Sequence, residues 1–572
     1  MKKIPAVILV ISVSLFACNT VNKTSTALRN INPYQFSVQK KTICENGAVV
    51  SAHPLASKVG LEILKQGGNA FDAAIATQLA LAVVYPNAGN IGGGGFMVAR
   101  AAAGELLALD YRETAPKKAH RDMYLDANGN PQGDKSLNGH LATGVPGTVA
   151  GLFAAAKYAR LDFKKLIQPA IELAEKGYVL TAREASSLND LQEELKQFNS
   201  VMPVFVKNTA WKEGDTLIQK DLANTLKRIR DNGAKGFYEG ETAKLIVEEM
   251  KRGGGIVDYD DLENYTAKFR DAHTFSYKGY TVVGMPMPSS GGILLNQMMK
   301  MVEKRNLGDM GFHSPQAVQL MIEVERRAYA DRAQYMGDAD FYKVPVKKLT
   351  DDNYLAERMK DYVTDKAGTS KEIKPGPIKE SEETTHLNVI DKDGNAIAIT
   401  TTLNNSYGSK TVVGGAGFIL NDEMDDFSIK PGVPNLYGAI GGEANAIAAG
   451  KRMLSSMTPT IVLKDNKPFI VTGTPGGTTI PTSVFQTLIN IIDFGLTTED
   501  AVYKPKFHHQ WLPDQVFVEK SFPDEVEEAL KKMGYAIGER GGIGRTEVIK
   551  ALPDGKFEAV ADNRGEDDAE GW

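Results

Sequence analysis

KESEETTHLNVIDKDGNAIAITTTLNN, residues 379–405, sets an acidic run directly against two threonine-rich, β-prone segments. Asp391, Lys392, Asp393, Gly394 and Asn395 form a turn signature between those segments. A three-residue loop with Gly394 in the left-handed conformation is a common hairpin connection. In that register Ile390 faces Ala396, Asn388 faces Ala398, His386 faces Thr400 and Thr384 faces Thr402. Directly opposed residues share one face, so Thr384, His386, Thr400, Thr402 and Asn404 form one polar cluster. A two-residue loop would shift the register by one and break the grouping. Two readings stay open at this level: the cluster is a solvated strand face, or one of its hydroxyls does chemistry.

The segment upstream bears on that choice. Residues 366–383 are rich in Lys, Glu, Gly and Pro, the composition of an exposed linker. Scission between Glu383 and Thr384 would turn Thr384 into a chain terminus. Its α-amine, with a reference pKa of about 8, could then act as base for its own hydroxyl.

Outward from the hairpin, the downstream chain reads as strands at 387–390, 396–402, 418–420, 460–463 and 469–472. Helices return at 482–494 and 524–532. Upstream, helical spacing begins at Ser57 and recurs at 71–84, 148–158, 163–176, 221–232 and 314–335. In the last of these Ser314 suits the N-cap and Pro315 the first helical position. Strands at 96–99 and 106–111 interrupt the helices. The expectation is a layered α/β (α+β) architecture, with a helix-rich large part at 46–383 and a strand-led smaller part at 384–572.

The 572 residues carry 66 basic and 71 acidic side chains, net −5, which gives no nucleic-acid footprint. Lys2 and Lys3 precede an apolar run, 4–16, that is too short to span a bilayer and reads as a signal-peptide core. It ends in Leu15-Phe16-Ala17-Cys18, which resembles a bacterial lipobox. A signal peptide at 1–17, lipid on Cys18 and a tether at 18–45 are therefore expected. The chain would be exported to the cell envelope, with a soluble periplasmic or secreted form as the alternative. The other cysteine, Cys44, reads as a small apolar filler. His508 and His509 lack the partners of a metal site, and the glycine run 92–95 lacks the Lys-Ser/Thr of a phosphate loop. No cofactor or metal is expected, and no G-x-S-x-G elbow marks a serine hydrolase.

Longer motifs go further. ETTHLNVIDKDGNAIAITTTLN, NDEMDDFSIKPGVPNLYG, KRMLSSMTPTIV and VTGTPGGTTI downstream, with GGNAFDAAIATQLAL, DYRETAP and MPSSGGILL upstream, resemble the γ-glutamyltransferase family. That family belongs to the N-terminal-nucleophile hydrolases. The resemblance implies a four-layer αββα sandwich built jointly by a large and a small subunit of one precursor, cut autocatalytically between Glu383 and Thr384. It implies two-step acyl transfer through a γ-glutamyl ester on Thr384. Donors would be glutathione or other γ-glutamyl amides, and acceptors water, amino acids or peptides. By the same resemblance Thr402 orients the nucleophile, and Gly476 and Gly477 stabilise the oxyanion. Arg112, Ser455 and Ser456 hold the donor α-carboxylate, and Asn404, Glu423 and Asp426 its α-ammonium. Residues 431–442 would form a lid with Tyr437 as gate. Rival readings are a β-lactam side-chain acylase, a poly-γ-glutamate-cleaving transpeptidase, or a non-enzymatic surface-binding lipoprotein. The ammonium-binding residues argue against the first, the lid against the second, and intact Thr384, Thr402, Gly476 and Gly477 against the third.

Overall fold

Strand alternation decides the layering. The computed structural model describes residues 28, 30–371, 384–430 and 442–572; the leader, Cys18, Glu383 and Tyr437 lie outside them. The hairpin forms as expected: β8 (Thr385–Asp391) pairs antiparallel with β9 (Ala396–Thr402) in the three-residue-loop register, His386 opposite Thr400 and Ile390 opposite Ala396. Gly394 takes φ +87°, the conformation that loop requires. Every residue of both strands is buried, so neither face is solvated.

The hairpin lies at the centre of a seven-stranded sheet. In chain order its other strands are β2 (Gly47–Ser51), β3 (Gly94–Arg100), β4 (Leu106–Asp110), β5 (Lys268–Arg270) and β14 (Asp568–Gly571), and the spatial order is β14-β2-β8-β9-β3-β4-β5. The second sheet runs β1-β13-β12-β11-β10-β7-β6. Its strands are β1 (Lys41–Cys44), β6 (His273–Tyr277), β7 (Tyr280–Gly284), β10 (Thr460–Lys464), β11 (Lys467–Gly473), β12 (Glu547–Ala551) and β13 (Phe557–Val560).

Alternate side chains of each strand go to different cores. Leu387, Val389, Ile397 and Ile399 join helices α1 (Pro54–Lys65), α2 (Ala70–Val84) and α3 (Phe163–Lys176) on the outer face of the first sheet. Val50, Phe96, Val98 and Ile390 meet Val283, Ile461, Val471 and Ile549 between the sheets. Val282, Val462, Ile470 and Val548 pack against α4 (Gly291–Glu303), α5 (Pro315–Tyr335) and α6 (Thr479–Ile492) on the far side. The result is the expected αββα sandwich. Each fully buried Val, Ile or Phe contributes about 1.5–3 kcal/mol. The helix α2 is wholly buried and mostly apolar, with Asp72, Thr77 and Gln78 its polar residues, and the Asn69–Asp72 capping box satisfies its first amides. Ser314 caps α5 with Pro315 at its start. No described helix is long and apolar enough to cross a membrane.

Several expectations are corrected. Residues 418–420 form no strand: Ile419 makes one isolated bridge to Val412, the Ser409 amide donates to the Leu420 carbonyl, and the Leu420 amide donates to the Thr411 carbonyl. The tether is shorter than 18–45, because Ile31 is buried and β1 pairs with β13. The linker composition at 366–383 begins in packed chain, with Ser370 buried beside Asp514. The α1 helix starts at Pro54, three residues before Ser57, because His53 Nδ1 accepts from the Leu55 amide at 3.1 Å. The helix-rich and strand-led parts build both sheets together, as the resemblance implied, since each sheet contains strands from both sides of position 384.

Candidate active site

The site lies where the central hairpin ends. Thr384 immediately precedes β8 and Thr402 is the last residue of β9, so the pairing register places them together at one edge. The polar face of the hairpin divides into two groups. Deeper in, His386 is fully buried between the sheets: Nδ1 contacts Thr400 Oγ1 at 2.9 Å and Nε2 contacts Asn388 Oδ1 at 2.9 Å. The amide oxygen accepts only, so Nε2 carries the proton and Nδ1 accepts from the threonine. Burial pushes the imidazole down to about 4, which keeps it neutral. This group is structural. Thr384, Thr402 and Asn404 form the second group, at the cavity.

That cavity holds about 20 Å3 and is lined by Arg112, Thr384, Thr402, Asn404, Glu423, Asp426, Ser455, Ser456 and Gly477. Every sequence-predicted nucleophile, orienter and donor-binding residue within the described chain lies there except Gly476. Gly476 lines a second, larger cleft of about 550 Å3 that also reaches Thr384. The turn Thr474-Pro475-Gly476-Gly477 thus runs between two spaces that share one threonine. It connects β11 to the N-terminus of α6. Gly476 and Gly477 take φ +134° and +56°, backbone that side chains resist. Their amides find no hydrogen-bond partner among the described residues, as expected of donors at a helix start. They are available to a developing negative charge.

Behind Thr402 the chain is packed backbone to backbone. A Cβ on Gly93 would stand 2.1 Å from the Thr402 carbonyl oxygen. The glycine run is therefore a packing device, as its lack of phosphate-loop residues suggested. After Thr402 the chain is held by Asp422, whose carboxylate accepts from the Asn405 amide at 3.0 Å and whose carbonyl accepts from Asn404 Nδ2 at 3.0 Å. Asn404 itself takes φ +78°, and its amide donates to Thr402 Oγ1 at 2.8 Å. Ser455 Oγ accepts from the Met457 amide at 3.2 Å, and a Ser289–Ser455 bridge fixes that loop.

Arg112 is 1% exposed and is the electrostatic centre of the cavity. Its guanidinium pairs with Glu423 through Nη1 and with Asp426 through Nη2, and Glu113 stands 3.7 Å away. Burial opposes its charge, but the three carboxylates outweigh burial and raise its pKa above the ordinary value. Glu423 is pushed well up, by burial first and then by Glu113, Asp426 and Asp422, against the pull of Arg112. Glu113 rises to about 8 and Asp422 to about 6, both mainly through burial. One guanidinium thus serves three close acids, and the pocket lacks positive charge. A ligand with an ammonium beside a carboxylate fits this deficit. The cluster offers one guanidinium to a carboxylate and several acids to an ammonium.

Sequence reading missed Glu113 and Asp422, although each adjoins a residue it found. It also missed the larger cleft. Cys44 is buried in the inter-sheet core, as expected of a filler, and burial raises its thiol pKa.

A sequence model described as gamma-glutamyltranspeptidase matches residues 56–572. The chain is 46% identical to the glutathione hydrolase proenzyme of Escherichia coli (strain K12), over 92% of this chain and 91% of that one. Among solved structures it is similar to a cephalosporin acylase from Bacillus halodurans, with a TM-score of 0.82 and 27% identity over 94% of this chain and 98% of that one. It is also similar to the Helicobacter pylori gamma-glutamyltranspeptidase, with a TM-score of 0.56 and 44% identity over 60% of this chain and 96% of that one.

Proposed function

Because the chain belongs to the gamma-glutamyltranspeptidase family, we propose that Thr384 is the nucleophile with which it transfers and hydrolyses γ-glutamyl groups, glutathione being the reference donor. Thr384 first attacks the carbonyl carbon of Glu383. The acyl group moves from nitrogen to oxygen, and water then cleaves the ester. This leaves a Glu383 carboxylate on a large subunit (46–383 plus its tether) and a free α-amine on a small subunit (384–572).

In the cut enzyme that amine accepts the Thr384 hydroxyl proton as Oγ attacks the donor γ-carbonyl. Thr402 orients the hydroxyl. The Gly476 and Gly477 amides face the oxyanion. The leaving amine departs with a proton, and water or an acceptor amine takes the γ-glutamyl group from the ester. Arg112, Ser455 and Ser456 hold the α-carboxylate, and Asn404, Glu423 and Asp426 the ammonium. Tyr437, outside the described residues, gates the acceptor side.

The observation that carries this reading is the single small cavity where Thr384, Thr402 and the charge-deficient Arg112 cluster meet. A glutaryl donor, lacking the ammonium, would leave Glu423 and Asp426 without a cation, which disfavours the acylase reading. N-terminal sequencing of the smaller fragment tests the proposal: it should begin Thr384-Thr385-His386. Thr384→Ala should give one uncut band and release no chromophore from a γ-glutamyl anilide. An active, unbroken chain would refute the mechanism. The leader and Cys18 support export with a lipid anchor, and Cys18→Ser should abolish labelling by a radioactive fatty acid.

A further inference from the structure

The turn that carries Gly476 and Gly477 enters α6 at Thr478, and that threonine does not act as a helix cap. A threonine there ordinarily turns its oxygen onto the amide two or three residues on. Among the described residues Thr478 makes no such bond. The amides it would serve are accounted for: Ile480 donates to the Gly477 carbonyl at 3.1 Å, and Pro481 has no N–H. The Thr478 hydroxyl instead donates to Gln510 Oε1 at 2.7 Å, and its carbonyl accepts from the Tyr329 hydroxyl of α5. Gln510 is fixed in turn. Its Oε1 contacts His508 Nε2 at 3.0 Å, and its Nε2 donates to the Leu512 carbonyl at 3.3 Å. An amide oxygen only accepts, so His508 carries its proton on Nε2. Burial pushes this imidazole down to about 3, which keeps it neutral. Its Nδ1 lies 2.8 Å from Thr482 Oγ1, one helical turn beyond Thr478. Thr478, Thr482, Tyr329, His508 and Gln510 are each at most 2% exposed.

We propose that Gln510 is a positioning residue for the acyl transfer: by holding Thr478 it locks the first turn of α6 and so aims the Gly477 amide at the reacting carbonyl. The inference rests on the glycine amides facing the oxyanion. Two glycines in succession have wide backbone freedom and do not hold their own direction. The direction comes from the helix they lead into. The Gly476 carbonyl accepts from the Thr479 amide at 3.0 Å and from the Thr479 hydroxyl at 2.8 Å. A trans peptide is planar, with its N–H opposite its C=O. The Gly477 amide, in the same plane as that carbonyl, therefore points out of the helix start. Its aim is as firm as the first turn of α6, and the side chains of His508 and Gln510 grip that turn at Thr482 and Thr478. The histidine-glutamine segment that binds no metal thus has a use close to the chemistry.

The test uses the full chain, with kcat on a γ-glutamyl anilide counted per cut chain, so that slow scission is not read as slow turnover. Thr478→Val keeps the shape of the side chain and removes the donor. Gln510→Met removes the acceptor. Each should lower kcat about tenfold with KM nearly unchanged. Thr478→Ser keeps the hydroxyl and should hold kcat within about twofold of the unaltered chain. The double variant should lose no more than either single, because both break one bond. A brace that serves stability alone would lower the melting temperature and leave kcat per cut chain intact, and that result would overturn the proposal. Losses that multiply in the double variant would overturn it too. Should Gln510→Met fail to fold, Thr478→Val and Thr478→Ser decide by themselves. Gly476→Ala separates this inference from the reading beneath it. A fall in kcat there beside full activity in Thr478→Val would strike Gln510 alone, whereas full activity in Gly476→Ala would strike the oxyanion assignment.

Discussion

A methyl group on Gly476 would stand 2.5 Å from Thr479 Oγ1 and would be forced to φ +134°. Gly476→Ala should therefore tilt the amide that we propose faces the oxyanion. We expect kcat to fall about 100-fold with KM nearly unchanged, the pattern of a donor felt only in the transition state. Steady-state kinetics on a γ-glutamyl anilide would show it. A second residue, Glu113, gives a pH signature. Its carboxyl is pushed up to about 8 from 4.5, so the folded state keeps a proton that the unfolded chain releases. Its contribution is full below about pH 4.5 and is lost as pH rises towards 8. Glu113→Gln should flatten the fall of the melting temperature between pH 5 and 8. An unchanged slope would show that Glu113 titrates normally. That Arg112, Glu423 and Asp426 meet in one cavity was legible because each stands in a long, distinctive motif. The place of Glu113 was not, because nothing in the letters says that the residue after Arg112 turns back towards the same buried guanidinium.

At the scale of elements, one carboxylate joins the hairpin to the helix behind it. Asp391 Oδ1 accepts from the amides of Asp393 and Asn395, each at 3.0 Å. Its Oδ2 accepts from Asn395 Nδ2 at 2.7 Å and from the Ala70 amide at the start of α2 at 2.8 Å. Asp391→Ala removes four charge-assisted bonds at a buried position. It should cost about 3 kcal/mol in denaturant titrations, with Asp391→Asn intermediate. The turn residues fixed the hairpin register in advance for a related reason, since loop length and glycine placement are local properties. The helix at 163–176 was equally readable, having Asp162 as its cap and Gly177 as its stop. Residues 418–420 misled because a short apolar run has the same composition whether it pairs in a sheet or folds on its own loop. The start of α1 misled because a histidine served as the cap.

At the scale of the molecule, the decisive fact left no local trace. β1, β6 and β7 come from before position 384 and β10–β13 from after it, yet they hydrogen-bond within one sheet, and the other sheet is shared in the same way. Pairing between segments hundreds of residues apart cannot be read from either segment alone. The two pieces left by scission should therefore co-migrate in native gel filtration and part only where denaturant also abolishes the circular-dichroism signal. Separation before that point would contradict the shared sheets. Interleaving also sets a clock on the enzyme's birth. The ribosome must deliver β14, which closes the edge of the first sheet, before that sheet is whole. Removing residues 568–571 should leave that edge open, and scission of such a chain, followed by gel electrophoresis, should be slower than that of the unaltered chain.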